Sequence, residues 1–143
     1  MQIEFKGQSV LVTGAVRGIG RTIAHGFAAR GATVFATDIL ADELTDAVAS
    51  ATPAGGGAIF ARPLDITDFT AVSALVGEIE AQSATGKVDI AVHAAGGIRR
   101  KIAQPIEDVS HEDWQAIFDV NVNGAFNVVK AVTPGMKRGH KGQ

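Results

Sequence analysis

The sequence contains no cysteine and no tyrosine, a single tryptophan and four prolines, and its formal net charge is only −2. Each shortage removes a class of function. Without cysteine there is no disulfide scaffold, no thiolate nucleophile and no thiolate metal site. Without tyrosine, these residues alone cannot run a mechanism that needs a phenol. A near-neutral balance gives no electrostatic reason to expect nucleic acid or an anionic membrane surface as a partner. No stretch approaches the roughly 20 apolar residues of a membrane-spanning helix. The opening Met1-Gln2-Ile3-Glu4-Phe5-Lys6-Gly7 puts charges where a secretory signal needs its apolar segment, so a soluble cytoplasmic protein is expected. His25, His111 and His140 form no ligand spacing with one another or with carboxylates, so no metal site is expected.

What is present is apolar and rich in glycine. The 143 residues are 46% hydrophobic and 20% charged, with 17 glycines, enough for one ordered domain with a real core. Apolar runs alternate with segments of helical period, the mark of an α/β protein with a parallel sheet. Ser9 to Val12 is a strand candidate ended by Thr13-Gly14, and Ile19 to Arg30 a helix stopped by Gly31. Thr33 to Thr37 reads as a second strand and Ala41 to Ala51 as a second helix, closed by Pro53 and Gly55-Gly56-Gly57. A third strand, Ala58 to Ala61, precedes an amphipathic helix from Asp68 to Gln82, with Phe69, Val72, Leu75, Val76 and Ile79 on one face. Val88 to Val92 is a fourth strand.

Ser110 opens a long last helix, with Asp113 placed as in a capping box. Within it, Val120-Asn121-Val122-Asn123-Gly124 alternates, and Asn-Gly also signals a hairpin. Helix is favoured because apolar residues continue on several sides through Ala125, Phe126, Val128, Val129 and Val132. A helix apolar nearly all round is buried or sits in a subunit interface.

The turn after the first strand is Thr13-Gly14-Ala15-Val16-Arg17-Gly18-Ile19-Gly20. Between a strand and a helix, such a turn suits a dinucleotide. Gly14 makes the tight turn, Gly18 lets backbone approach a pyrophosphate, and Gly20 lets the helix pack closely on the strand. A glycine-rich turn that binds nothing is the bland alternative. Asp38, 18 residues after Gly20, stands where an acid would accept the ribose hydroxyls. It would repel a 2′-phosphate, at a cost of about 1 kcal/mol or more. Arg17 works the other way, because its guanidinium suits that phosphate. Asp38 weighs more and favours NAD over NADP, although an acid before a helix is also a common cap.

These residues resemble the classical short-chain dehydrogenase/reductase family over nearly the whole chain. Thr13-Gly14-x-x-x-Gly18-Ile19-Gly20 is similar to its cofactor loop. The resemblance implies a Rossmann-like doubly wound parallel sheet, here with strand order 3-2-1-4. It implies that Asp65 and Ile66 meet the adenine, though an isolated Asp65 reads as a turn or cap residue. His93-Ala94-Ala95-Gly96 stands where the family has Asn-Asn-Ala-Gly, so backbone contacts to the cofactor are implied at Ala94, Ala95 and Gly96. His93 itself reads as a hydrogen-bonded structural histidine. Asn121 matches the family's catalytic asparagine, which supports a water in a proton relay to a lysine.

In the family a tyrosine is the acid/base, a lysine four residues on tunes it, and a serine holds the substrate oxygen. None maps here. The expectation is therefore a single NAD(P)-binding domain over 1–143, incomplete at its C-terminus after the fourth strand and its helix. Its function is expected to be the cofactor-binding part of an NAD(P)-dependent oxidoreductase acting on a small alcohol or carbonyl substrate. The alternative is a non-catalytic dinucleotide-binding or interaction module. The two separate on turnover. The fourth strand is expected to leave an exposed apolar edge, so homo-oligomers or association through that edge and the long helix are expected. Arg99-Arg100-Lys101 reads as a solvated loop or an attractor of anionic substrate, and Trp114 as a packing residue.

Overall fold

The computed structural model describes residues 3–98 and 104–143. Four strands, β1 (Ser9–Thr13), β2 (Thr33–Asp38), β3 (Ala58–Pro63) and β4 (Ile90–His93), form one sheet in the order β3-β2-β1-β4. All three pairings are parallel. Helices α1 (Gly18–Ala28), α2 (Ala41–Ala49) and α3 (Phe69–Gln82) connect successive strands. After β4 come a 3-10 turn (Ile106–Asp108), α4 (His111–Phe118), a π-helical turn (Asp119–Asn123) and α5 (Gly124–Arg138). This is the doubly wound, Rossmann-like arrangement and strand order that the family resemblance implies.

Helices cover both faces, so the inner strands are continuous apolar runs rather than alternating ones. Val10, Val12, Val34 and Ala36 pack with Ala24 and Ala28 of α1 and Leu44 of α2. Leu11 and Phe35 point the opposite way, to Val72, Val76 and Ile79 of α3 and Val128 and Val132 of α5. Full burial of each such Val, Leu or Ile contributes roughly 1.5–3 kcal/mol. Phe69 departs from the expected face and is partly exposed, because it opens α3 just beyond the Asp68 cap, whose carboxylate accepts the Thr70 and Ala71 N–H groups.

Two expectations need correction. The long last helix is not continuous: the π turn at Asp119–Asn123 interrupts it. Two valines and two asparagines in five positions form helix poorly, and the wider turn absorbs the misfit. Neither is there a hairpin. Beyond the turn, Gly124 lies against Ile66, and Asn127 Nδ2 donates to the Ile66 and Thr67 carbonyls at 3.0 and 3.3 Å.

The second correction concerns the fourth-strand edge. Val88 and Ile90 are buried, and the outer backbone is partly paired. Gln143 N–H donates to the Asp89 carbonyl at 3.1 Å, and Ala91 N–H donates to the Gln143 carbonyl at 2.8 Å. The reason is that the chain turns back after α5 and lays its last residue alongside β4. At the opposite edge, Arg62 on β3 lies over the Phe35 and Phe60 rings and pairs with Glu78 at 2.8 Å.

A nearly buried ion pair fixes the entry to β4. Lys87 Nζ pairs with Asp89 Oδ1, while Asp89 Oδ2 accepts the Ser9 N–H at 2.9 Å and the Thr85 hydroxyl at 2.8 Å. That ties the start of β4 to the start of β1.

Candidate functional site

The order 3-2-1-4 places the chain reversal beside β1, where neighbouring connections leave the sheet in opposite directions. A crevice opens there at the strand ends. Here it is a cavity of about 890 Å³. Each residue that the sequence assigns to a dinucleotide lines it: Gly14, Arg17, Gly18, Ile19, Gly20, Asp38, Asp65, Ile66, Ala94, Ala95 and Gly96.

The turn after β1 depends on missing side chains. Gly14 has φ +67, and a Cβ there would lie 2.7 Å from the Ala94 carbonyl oxygen and the Ala95 nitrogen. A Cβ on Gly20 would run into the Gly14 carbonyl. Three backbones thus meet without a side chain between them: the turn after β1, the first turn of α1 and the loop after β4. Gly18 faces open space. No side chain caps α1 and its first turn holds no acid, so its leading N–H groups remain for an outside acceptor.

Asp38 ends β2. Its Oδ2 accepts the Val16 N–H at 3.3 Å and its Oδ1 the Leu40 N–H at 3.2 Å. It therefore braces the β1 turn rather than capping α2, whose N-cap is Leu40. Asp38 also lines the cavity, and each of its oxygens accepts only one of these N–H bonds. Arg17, also in the lining, pairs with Glu43 at 2.7 Å. Asp65 forms the turn that local chemistry suggests, its Oδ1 accepting the Thr67 N–H at 2.9 Å and hydroxyl at 2.7 Å, and it still reaches the cavity wall.

Asn121 sits in the π turn outside the lining. Its side chain clasps the loop after β4, Oδ1 accepting the Gly97 N–H at 3.0 Å and Nδ2 donating to the Gly97 carbonyl at 2.8 Å. Nδ2 also donates to the Ile117 carbonyl at 2.8 Å. Both amide hydrogens are committed to backbone.

His93 ends β4 opposite Thr13. Its Nδ1 is 3.1 Å from the Thr13 hydroxyl, while its buried Nε2 has no partner among the described residues. Burial holds the imidazole below the usual histidine range. Sequence reasoning missed Thr13 as a functional position, along with Thr37, Ile39, Leu40, Gly97, Ile98 and Val120 of the lining. A usable signal existed for Ile39 and Ile98, each an apolar residue shortly past a strand end and 61% exposed. The Arg99-Arg100-Lys101 cluster lies outside the described residues. Trp114 packs, but on an exposed surface, stacked on Phe118 at 6.3 Å. Among the described residues no helix is long and apolar enough to cross a membrane, and no group of His, Asp or Glu is arranged to hold a metal.

A family model described as short chain dehydrogenase matches residues 8–143. The chain belongs to the short-chain dehydrogenase/reductase family. Members of this oxidoreductase family bind NAD or NADP. This short-chain dehydrogenase/reductase is 34% identical to the 3-oxoacyl-acyl-carrier-protein reductase FabG of Escherichia coli, over 99% of this chain and 54% of that one. A short-chain type dehydrogenase/reductase from Mycobacterium ulcerans superposes with a TM-score of 0.88 at 37% identity, covering 98% of this chain and 50% of that one. A metagenomic short-chain oxidoreductase in complex with NADP gives 0.85 at 28% identity, over 96% of this chain and 60% of that one. The chain thus spans about half the length of the relatives it matches.

Proposed function

We propose that this chain is a single NAD-binding domain and the cofactor-binding part of an oxidoreductase that interconverts an alcohol and a carbonyl. The observation that carries the NAD preference is the pairing of Asp38, open to the cavity, with an Arg17 committed to Glu43. The carboxylate supplies acceptors for two ribose hydroxyls and repels a 2′-phosphate, and the one guanidinium in the lining among the described residues is already engaged. The fit of the glycine turn supports the same ligand, because Gly14 and Gly20 draw the backbone together and Gly18 leaves α1 open to a pyrophosphate.

When bound, the dinucleotide supplies a hydride acceptor or donor at its nicotinamide carbon. The chain's own residues hold and orient it. Ile19, Ile39 and Ile66 offer apolar surface to the flat base end, with Asp65 beside it. Ala94, Ala95 and Gly96 form the wall toward the other end, and Asn121 keeps the Gly97 backbone in place behind them. The sequence holds no tyrosine, so these residues by themselves are proposed to bind the dinucleotide without turning over an alcohol.

Self-association is part of the proposal. Trp114, Phe118, Val122, Phe126 and Val129 are exposed and recur every three or four residues along α4, the π turn and α5. An apolar strip of this kind on helices suits a second copy of the chain.

The test is titration of the wild-type chain and Asp38→Ala with NADH, followed by nucleotide fluorescence. Wild-type binding and a loss of about tenfold in the variant are expected for removal of a charged acceptor. Equal affinities would overturn the ribose assignment.

A further inference from the structure

The Thr13 hydroxyl joins β1 to the loop after β4. Its oxygen accepts the N–H groups of Ala94 and Ala95, each at 3.2 Å. A hydroxyl oxygen has two lone pairs and one hydrogen. With both lone pairs taken, the hydrogen must go to the remaining neighbour, His93 Nδ1 at 3.1 Å. Nδ1 is then an acceptor, so the proton of the neutral ring is on Nε2. That leaves Nε2–H as a buried donor without a partner among the described residues, a cost that accompanies the supply of Nδ1 as an acceptor.

We propose that His93 is a positioning residue for the dinucleotide site: as the Nε2–H tautomer it draws the Thr13 hydrogen toward itself and so aims the Thr13 oxygen at the Ala94 and Ala95 amides. Those amides belong to the cavity wall that also contacts Gly14. Without the acceptor at position 93, the hydroxyl turns, and one of its two amide bonds is lost. The wall then moves against the glycine turn, where there is no slack. Burial disfavours the charged ring and so works in favour of the neutral form, in which Nδ1 can accept. The inference rests on the proposed dinucleotide reading only for its binding readout. The tautomer and the amide bonds are independent of any nucleotide.

Long-range proton–nitrogen NMR on the 143-residue chain reads the tautomer, with the His93 signals identified by their loss in His93→Asn. Protonated Nε2 and bare Nδ1 are expected, and a protonated Nδ1 overturns the proposal. NADH titration is expected to show losses of about tenfold for His93→Leu and Thr13→Val, with no further loss in the double variant. Thr13→Ser and His93→Asn, which keep a donor and an acceptor, should bind within about twofold of wild type. Additive losses, or wild-type affinity in His93→Leu, overturn it. If the wild-type chain bound no NADH, the proposed function would fall. Amide exchange at Ala94 and Ala95 then decides the inference: about tenfold faster in His93→Leu supports it, and unchanged refutes it.

Discussion

Glu43 holds Arg17 at the edge of the cavity, with the guanidinium Nη2 2.7 Å from the carboxylate Oε2. Both side chains are more than half exposed, so the pair adds at most ~1 kcal/mol to stability. Its consequence is for specificity. Glu43→Gln is expected to leave the unfolding curve almost unmoved. Freed, Arg17 should raise the affinity for NADPH relative to NADH by about fivefold, the equivalent of ~1 kcal/mol. Paired fluorescence titrations measure the ratio. An unchanged ratio would show that Arg17 does not reach the ribose phosphate.

Lys87 and Asp89 form a pair of the opposite kind, only 8% and 10% exposed. Breaking it from one side leaves a charge buried alone, so Lys87→Met should cost about 3 kcal/mol in urea unfolding at neutral pH. The pair also sets an acid limit. Burial alone would raise the Asp89 carboxyl, but the Lys87 ammonium, the Ser9 N–H and the Thr85 hydroxyl outweigh it, and the net shift is below the ordinary 3.8. The folded state therefore binds the proton less readily than the unfolded chain. Its contribution is present above pH ~4 and is lost as the pH falls through the lowered folded value. Asp89→Asn should flatten stability against pH in that window. A slope equal to wild type would exclude Asp89 as its source.

Asn121 can be tested by separating its acceptor from its donors. Asn121→Asp keeps an oxygen for the Gly97 N–H but sets a second oxygen against the Gly97 and Ile117 carbonyls. Asn121→Ala removes all three bonds. Amide exchange at Gly97 should be about tenfold faster in the alanine variant than in wild type. The same rate in the two would mean that the π turn, not the side chain, holds the loop.

The exposed apolar strip predicts association. Phe126, 61% exposed and with Lys130 Nζ at 5.6 Å from its ring, lies within it. Light scattering of the wild-type chain should report a mass above that of one copy. Phe126→Glu should shift it toward the monomer while leaving the helical signal intact. A monodisperse monomer in both proteins would remove the strip as a contact surface.

Much of the fold was legible because its signals are local. Val10, Leu11 and Val12 announce a strand covered on both faces, and Gly31, with φ +92, stops the chain after α1 as a helix-ending glycine does. The π turn was less legible, since Val120 to Gly124 fits a helix and a hairpin equally well over five residues. The apolar residues from Ala125 to Val132 favoured helix over hairpin, but the π turn within it and the Asn127 bonds to the Ile66 and Thr67 carbonyls, some 60 residues away, were not legible.

By itself, the sequence determined that a strand, a glycine turn and a helix follow one another, and that an acid stands at the end of the next strand. Those depend on neighbouring φ/ψ preferences and on periodicity. Only the tertiary structure decided what surrounds them. Register across the sheet put Thr13 beside His93, separated by 80 residues, and made one hydroxyl the link between two loops. The placement of α2 gave Arg17 its carboxylate partner, Glu43. The fold of the last helices made the Asn121 side chain the clasp on Gly97. Hydrogen-bonding groups of this kind advertise capacity in a sequence, but their partners are set by which segments the hydrophobic core brings together.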